Sequence, residues 1–121
     1  MNRRDTGIYG ERLARDFLEG KGYRILETNY RCPHGEIDIV ASDKDCLVFV
    51  EVRTKKSANF GTPEESITPR KMEKLRATAN HYLQNNDNLL PQWRIDFVGI
   101  ELDQKGKLSR IEHIEYAVGE E

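Results

Sequence analysis

Two acidic residues stand where an ordinary strand would carry apolar side chains. Glu51 interrupts the run Leu47-Val48-Phe49-Val50-Glu51-Val52, which otherwise reads as a strand buried on both faces. Asp38 sits in Glu36-Ile37-Asp38-Ile39-Val40-Ala41, a second strand-like run thirteen residues upstream. A buried carboxylate is costly unless something compensates it. If the runs form a hairpin closed by a four-residue loop, Asp43 to Cys46, then Asp38 falls directly opposite Glu51. A two-residue turn would pair Glu36 with Glu51 and leave Asp38 one step away on the same face. Either register gathers carboxylates. Directly opposed side chains have Cβ atoms about 5 Å apart, and two charges at that distance repel by roughly 3 kcal/mol at an effective dielectric of about 20. A divalent cation converts that repulsion into a binding site, and oxygen donors with room for water suit Mg²⁺ or Mn²⁺. The geometry equally allows an ion-pair patch in which Arg53, Arg31 or Lys55 neutralises the acids. A third acid adds specificity. Glu11 precedes Leu18 by seven residues, about 20° away around a helix, so it borders the face that packs on a sheet.

These residues need elements to position them. Apolar residues from Thr6 to about Lys21 recur at helical spacing (Ile8, Leu13, Ala14, Phe17 and Leu18), and Gly20 and Gly22 supply the stop. Tyr23 to Tyr30 alternates as a strand, Pro33-His34-Gly35 turns, and the two acid-bearing strands follow as a hairpin across Ser42 to Asp45. Alternation puts Ile37, Ile39, Val48, Val50 and Val52 on one face of that hairpin. A long connection from Thr54 to Ile67 leads to Thr68-Pro69, an N-cap with proline at the first helical position. The helix behind it presents Met72, Leu75, Ala79, Tyr82 and Leu83. Trp93 to Leu102 and Leu108 to about Val118 complete the chain as strands. The class is therefore α/β: helix, three strands, helix, strand and one extra strand, in a mixed sheet flanked by helices.

Gly35-Glu36-Ile37-Asp38 followed by Val48-Phe49-Val50-Glu51-Val52-Arg53 resembles the PD-(D/E)XK nuclease motif, including the basic residue two positions after the second acid. More closely, the chain resembles the YraN family of small bacterial proteins with an endonuclease-like fold. That likeness runs nearly end to end: Gly10-Glu11 with Ala14, Gly35 to Asp38, Phe49 to Arg53, Phe60-Gly61, Lys71 with Leu75, Tyr82-Leu83, and Arg94 to Phe97. The resemblance implies a restriction-endonuclease-like core and a metal-dependent endonuclease hydrolysing phosphodiester bonds, with branched DNA among the substrates it suggests. It implies that Asp38 and Glu51 bind the metal, with the Val52 carbonyl as third ligand. It also implies that Glu11 matches the helix acid of related Holliday-junction resolvases. Arg53 departs from the lysine that the nuclease motif favours, and arginine, with a pKa above about 12, holds phosphate but cannot act as a general base. Lys55 is the alternative on the same face. The alternative function is a module on the same fold that binds nucleic acid without cutting. Because related resolvases are dimers, the resemblance leaves a homodimer open.

The charge distribution agrees with a metal-and-phosphate site. The net charge of −2 sums opposites: residues 32–52 carry −4, whereas residues 53–81 carry +4. Arg53, Lys55, Lys56, Arg70, Lys71 and Lys74 are the expected nucleic-acid contacts, with DNA expected before RNA. The sequence pI of about 6.0 argues against a protein that coats DNA uniformly, for which pI above about 9 is usual. With 121 residues, 37% hydrophobic and 33% charged, one domain spanning 1–121 is expected, without disulfide staples. No stretch nears the roughly 18 apolar residues of a membrane span, and Met1 to Asp5 lead into a helix rather than a signal core. A cytoplasmic location is expected. Cys32, His34 and Cys46 lack a paired-cysteine zinc pattern, His81 and His113 read as surface residues, Trp93 and Phe97 as core, and Asp96 as structural.

Overall fold

The computed structural model describes residues 2–56, 61–87 and 90–118. Helix α1 (Arg3–Gly20) begins earlier than the apolar pattern suggests because Asn2 caps it: the Asn2 side chain accepts the Asp5 N–H at 2.9 Å. Strands β1 (Arg24–Cys32), β2 (Gly35–Asp43) and β3 (Cys46–Lys56) follow. A 3-10 turn, Pro63–Ser66, precedes helix α2 (Pro69–Gln84), whose N-cap Thr68 accepts the Lys71 N–H. Strands β4 (Gln92–Leu102) and β5 (Leu108–Val118) close the order.

Among the described residues, the strands form one sheet in the order β1-β2-β3-β4-β5. Its pairs are antiparallel except β3 with β4, which run parallel. Parallel neighbours need a crossover rather than a tight turn, and α2 lies in that connection. The two helices cover opposite faces. Ala14 and Leu18 of α1 pack on Ile39, Ala41, Val48, Val50, Val98 and Ile100. Leu75, Ala79 and Tyr82 of α2 pack on Ile37, Val40, Leu47, Phe49 and Ile95. Strand β3 is therefore buried on both sides from Cys46 to Val50, as its unbroken apolar run requires. The last two strands, Trp93 and Phe97 behave as expected; Trp93 packs edge-on to Phe49.

Strict alternation fails in β2 at the place that matters. Ile37 shares the α2 face with Val40, not the α1 face with Ile39. Pairing of β2 with β3 runs only from Asp43↔Cys46 to Ile39↔Val50, while β1 continues alongside β2 to Cys32↔Gly35. Asn29, between the partners of Ile39 and Ile37, has φ of 55°. A left-handed residue turns a strand locally, so the side chains beyond Asp38 change face.

Gly10 determines how closely α1 approaches the sheet. A Cβ there would lie 1.7 Å from Thr54 Oγ1 and 2.8 Å from Thr54 Cβ, so rotating the threonine does not relieve the overlap. Alanine gains about 1 kcal/mol of helix propensity but forces α1 off β3, which costs more in a close-packed interface. Gly10→Ala is expected to lose a net 1–2 kcal/mol or so in urea denaturation; an unchanged or raised stability would refute this close approach. Among the described residues, no helix is long and apolar enough to cross a membrane.

Candidate functional site

The β2–β3 hairpin closes through Lys44-Asp45, with Lys44 at φ 55° and Asp43 paired with Cys46. The turn is thus two residues long rather than the expected four, yet the register is the one that sets Asp38 opposite Glu51. One step beyond the last ladder pair, Ile39↔Val50, Asp38 lies across from Glu51. The ladder does not continue there. Asp38 Oδ2 instead accepts the Val52 N–H at 2.7 Å, so the acid's side chain takes over a backbone bonding role where the strands part. Burial first, and then the neighbouring Glu51 charge, push the Asp38 carboxyl up to about 8, against the lowering effect of the Val52 N–H. Glu51 has a side chain 13% exposed and an ion pair with Arg53, whose Nη2 lies 2.8 Å from Oε2.

Glu11 reaches the same place from α1, brought close by Gly10. Its carboxyl is raised by burial and next by the charge of Asp38. Asn29 Nδ2 donates to Glu11 Oε1 at 3.1 Å. Asn29 was not among the residues expected here, although its type carried a signal: asparagine is enriched among residues with positive φ. Glu36 is held by Arg31 at 2.9 Å.

Two cavities, about 250 and 370 Å³, open on either side of these acids and share Glu36, Asp38, Val52 and Arg53. Glu51, Lys71 and Lys74 complete the smaller, on the α2 side. Glu11, Asn29 and the unexpected Arg3 and Arg4 line the larger, on the α1 side. Of the expected basic residues, Arg53, Lys71 and Lys74 thus border the acids. Lys55, Lys56 and Arg70 line neither cavity. The reason is geometric. β3 runs on as a strand through Lys56, paired to Leu102, and Lys55 Nζ donates to the Gly61 carbonyl at 3.0 Å. Arg70 is one residue, about 100°, off the Lys71, Lys74, Leu75, Thr78 stripe that faces the cavity. Phe60 lies outside the described residues.

The remaining titratable groups are structural. Arg94 Nε lies 2.9 Å from Asp96 Oδ1 and its Nη2 donates to Tyr23 OH at 2.6 Å. His113, expected at the surface, is instead buried, its Nε2 2.8 Å from Asp96 Oδ2 and its Nδ1 2.8 Å from Lys21 Nζ. His81 bonds Tyr30 OH. Cys32 and Cys46 are free thiols. Among the described residues, no three His, Cys, Asp or Glu side chains come together to hold a metal ion by themselves.

A mixed sheet with one helix on each face, opening at an acid-bearing hairpin, defines an α/β protein with a restriction-endonuclease-like core. The model of the uncharacterised protein family UPF0102 matches residues 10–100. The chain belongs to this family, the YraN family. A UPF0102 protein of Dehalococcoides mccartyi is 49% identical over 120 residues, covering 99% of this chain and 98% of the relative. UPF0102 proteins of Syntrophomonas wolfei and Moorella thermoacetica are each 46% identical, over 114 and 117 residues. They cover 94% and 97% of this chain, and 96% and 98% of their own.

Proposed function

We propose that the protein is a metal-dependent endonuclease that binds nucleic acid, DNA before RNA, where the two cavities meet at Asp38 and Arg53, and hydrolyses a phosphodiester bond there. The observation that carries this reading is the Asp38–Glu51 pair: two acids across one hairpin, one of them pushed up to about 8 by burial and by the other's charge. Strongly perturbed carboxyls at a cavity wall are characteristic of functional sites.

The donor set fits a divalent cation of the Mg²⁺ type. Such ions are held by one or two carboxylates and keep their remaining positions for water and substrate phosphate. Asp38 and Glu51, which both line the smaller cavity, supply the carboxylates for that demand. Asp38, Glu51 and the Val52 carbonyl would hold the ion. When bound, it supplies Lewis-acid stabilisation of charge developing on a phosphoryl oxygen. The other residues act on their own account. Glu11, its carboxyl raised by burial and by Asp38, takes the proton of the attacking water and is steadied by Asn29. Arg53 swings from Glu51 to grip a phosphate oxygen in two-pronged fashion. Lys71 and Lys74 hold the neighbouring phosphate as point charges.

Cleavage of single-stranded, duplex and four-way-junction DNA with Mg²⁺ or Mn²⁺ tests the reading. Asp38→Ala and Glu51→Ala are each expected to lower the rate roughly a hundredfold or more. Cutting that survives both substitutions would refute it. One observation favours a second reading, a binding module that does not cut: Arg53 stands where the nuclease motif favours lysine and is occupied by Glu51 at 2.8 Å. That reading predicts salt-dependent, metal-independent binding with no cleavage of any substrate.

A further inference from the structure

The first turns of α1 turn an unusual stripe toward the larger cavity. Arg4, Gly7, Ile8 and Glu11 follow at i, i+3, i+4 and i+7, and all four line it, with Arg3 beside them. The amphipathic pattern counts Ile8 among the residues that α1 should bury, yet it is 59% exposed. At Gly7 an added Cβ would meet nothing within 4 Å, so the wall has open space beside that isoleucine. Arg3 and Arg4 place two positive charges at the outer end, and Glu11 and Asp38 place the acids at the inner end. An anion is thus favoured at the mouth, an apolar group midway, and a cation-bridged phosphate at the floor.

We infer that this face of α1 is the binding track for an unpaired nucleic-acid strand, with Arg3 and Arg4 on a backbone phosphate and a base lying over Gly7 and Ile8. The inference rests on the nucleic-acid reading proposed above and adds the substrate form and the direction of approach. Spacing of charge and apolar surface selects the form. A duplex turns its phosphates outward and stacks its bases inside, so it offers Ile8 no apolar partner. An unpaired strand exposes base faces next to each phosphate, and proteins that hold such strands combine a basic groove with apolar platforms. The track is continuous with Asp38, Val52 and Arg53, which both cavities share, so a strand entering over α1 leaves past Lys71 and Lys74.

Anisotropy of a short fluorescent oligodeoxynucleotide, single-stranded or annealed, tests this with the full chain carrying Asp38→Asn to prevent cutting. The single strand is expected to bind at least several-fold more tightly than the duplex. Adding Arg3→Ala and Arg4→Ala should reduce the slope of log affinity against log salt by about 0.7, the value for one phosphate on a single strand. Gly7→Glu, which puts a negative charge into that open space, should weaken single-strand binding about tenfold without lowering the melting temperature. Ile8→Ser should weaken it several-fold. If these variants bind as their parent does while Lys71→Glu with Lys74→Glu loses binding, the α1 track is refuted and the nucleic-acid reading stands. Tighter binding of duplex also overturns the inference. A parent that binds neither form overturns both.

Discussion

Asp38→Asn is expected to stabilise the protein in the absence of divalent cations at neutral pH, and to abolish metal-dependent cleavage. The sign follows from linkage. The Asp38 carboxyl is raised from its ordinary value of 3.8 to about 8 in the fold, so the native state holds this proton more tightly than the unfolded chain does. Its contribution to stability is complete below about pH 4 and is lost progressively as pH rises through about 8. Within that window one proton is worth at most about 1.4 kcal/mol per pH unit. Asparagine imitates the protonated acid: its oxygen can still accept the Val52 N–H, and no charge faces Glu51. The difference in denaturation free energy between Asp38→Asn and wild type, measured in EDTA, should therefore grow from near zero at about pH 4 to a maximum near pH 8. Other carboxylates titrate in both proteins and cancel in that difference. A flat difference would show that Asp38 is not strained by burial and Glu51. Opposite effects on stability and cleavage would mark an acid kept for chemistry rather than for the fold.

The second large effect is expected far from the cleft. Asp96→Ala should destabilise the protein by about 3 kcal/mol, because the buried Arg94 loses its 2.9 Å partner and is left with the more distant Asp43 and Glu115, at 3.6 and 3.7 Å. Asp96 and Arg94 have side chains 0% and 5% exposed, and His113 Nε2 also loses its 2.8 Å partner. That loss is a large share of the roughly 5–15 kcal/mol by which domains are stable. Replacing Arg94 and Asp96 together by leucine should cost less than Asp96→Ala alone, since no unpaired charge remains. Urea midpoints measure both. A loss below about 1 kcal/mol, the range of an exposed pair, would mean that water reaches Arg94.

The contrast between these two acids shows how far residue type alone carries. Asp38 and Asp96 both interrupt apolar strands. The first sits in a hairpin whose short loop limits the registers, so its meeting with Glu51 was one of two arrangements legible beforehand. The second depends on Tyr23, Arg94 and His113, which come from β4, β5 and the segment before β1. Sequence spacing does not say that they meet. Nothing in the local spacing marks His113 as enclosed; the β4–β5 pairing and the α1 face enclose it, with Phe17 and Tyr23 edge-on to its ring.

Local pattern was enough for the elements, the two-faced burial of β3, the hairpin that brings Asp38 near Glu51, and the turn of Glu11 toward the sheet. Periods of 2.0 and 3.6 orient each side chain relative to its own strand or helix, and a short loop transmits that orientation to the neighbouring strand. Long-range packing set the rest: Ile37 changes face near Asn29, Ile8 stays exposed, and Arg3, Arg4 and Asn29 join the acids while Lys55, Lys56 and Arg70 do not. Each of those outcomes depends on which distant element stands across from the residue. That is set by long-range packing, here by Gly10 seated on Thr54 and by the point where β2 leaves β3, and no local period encodes it.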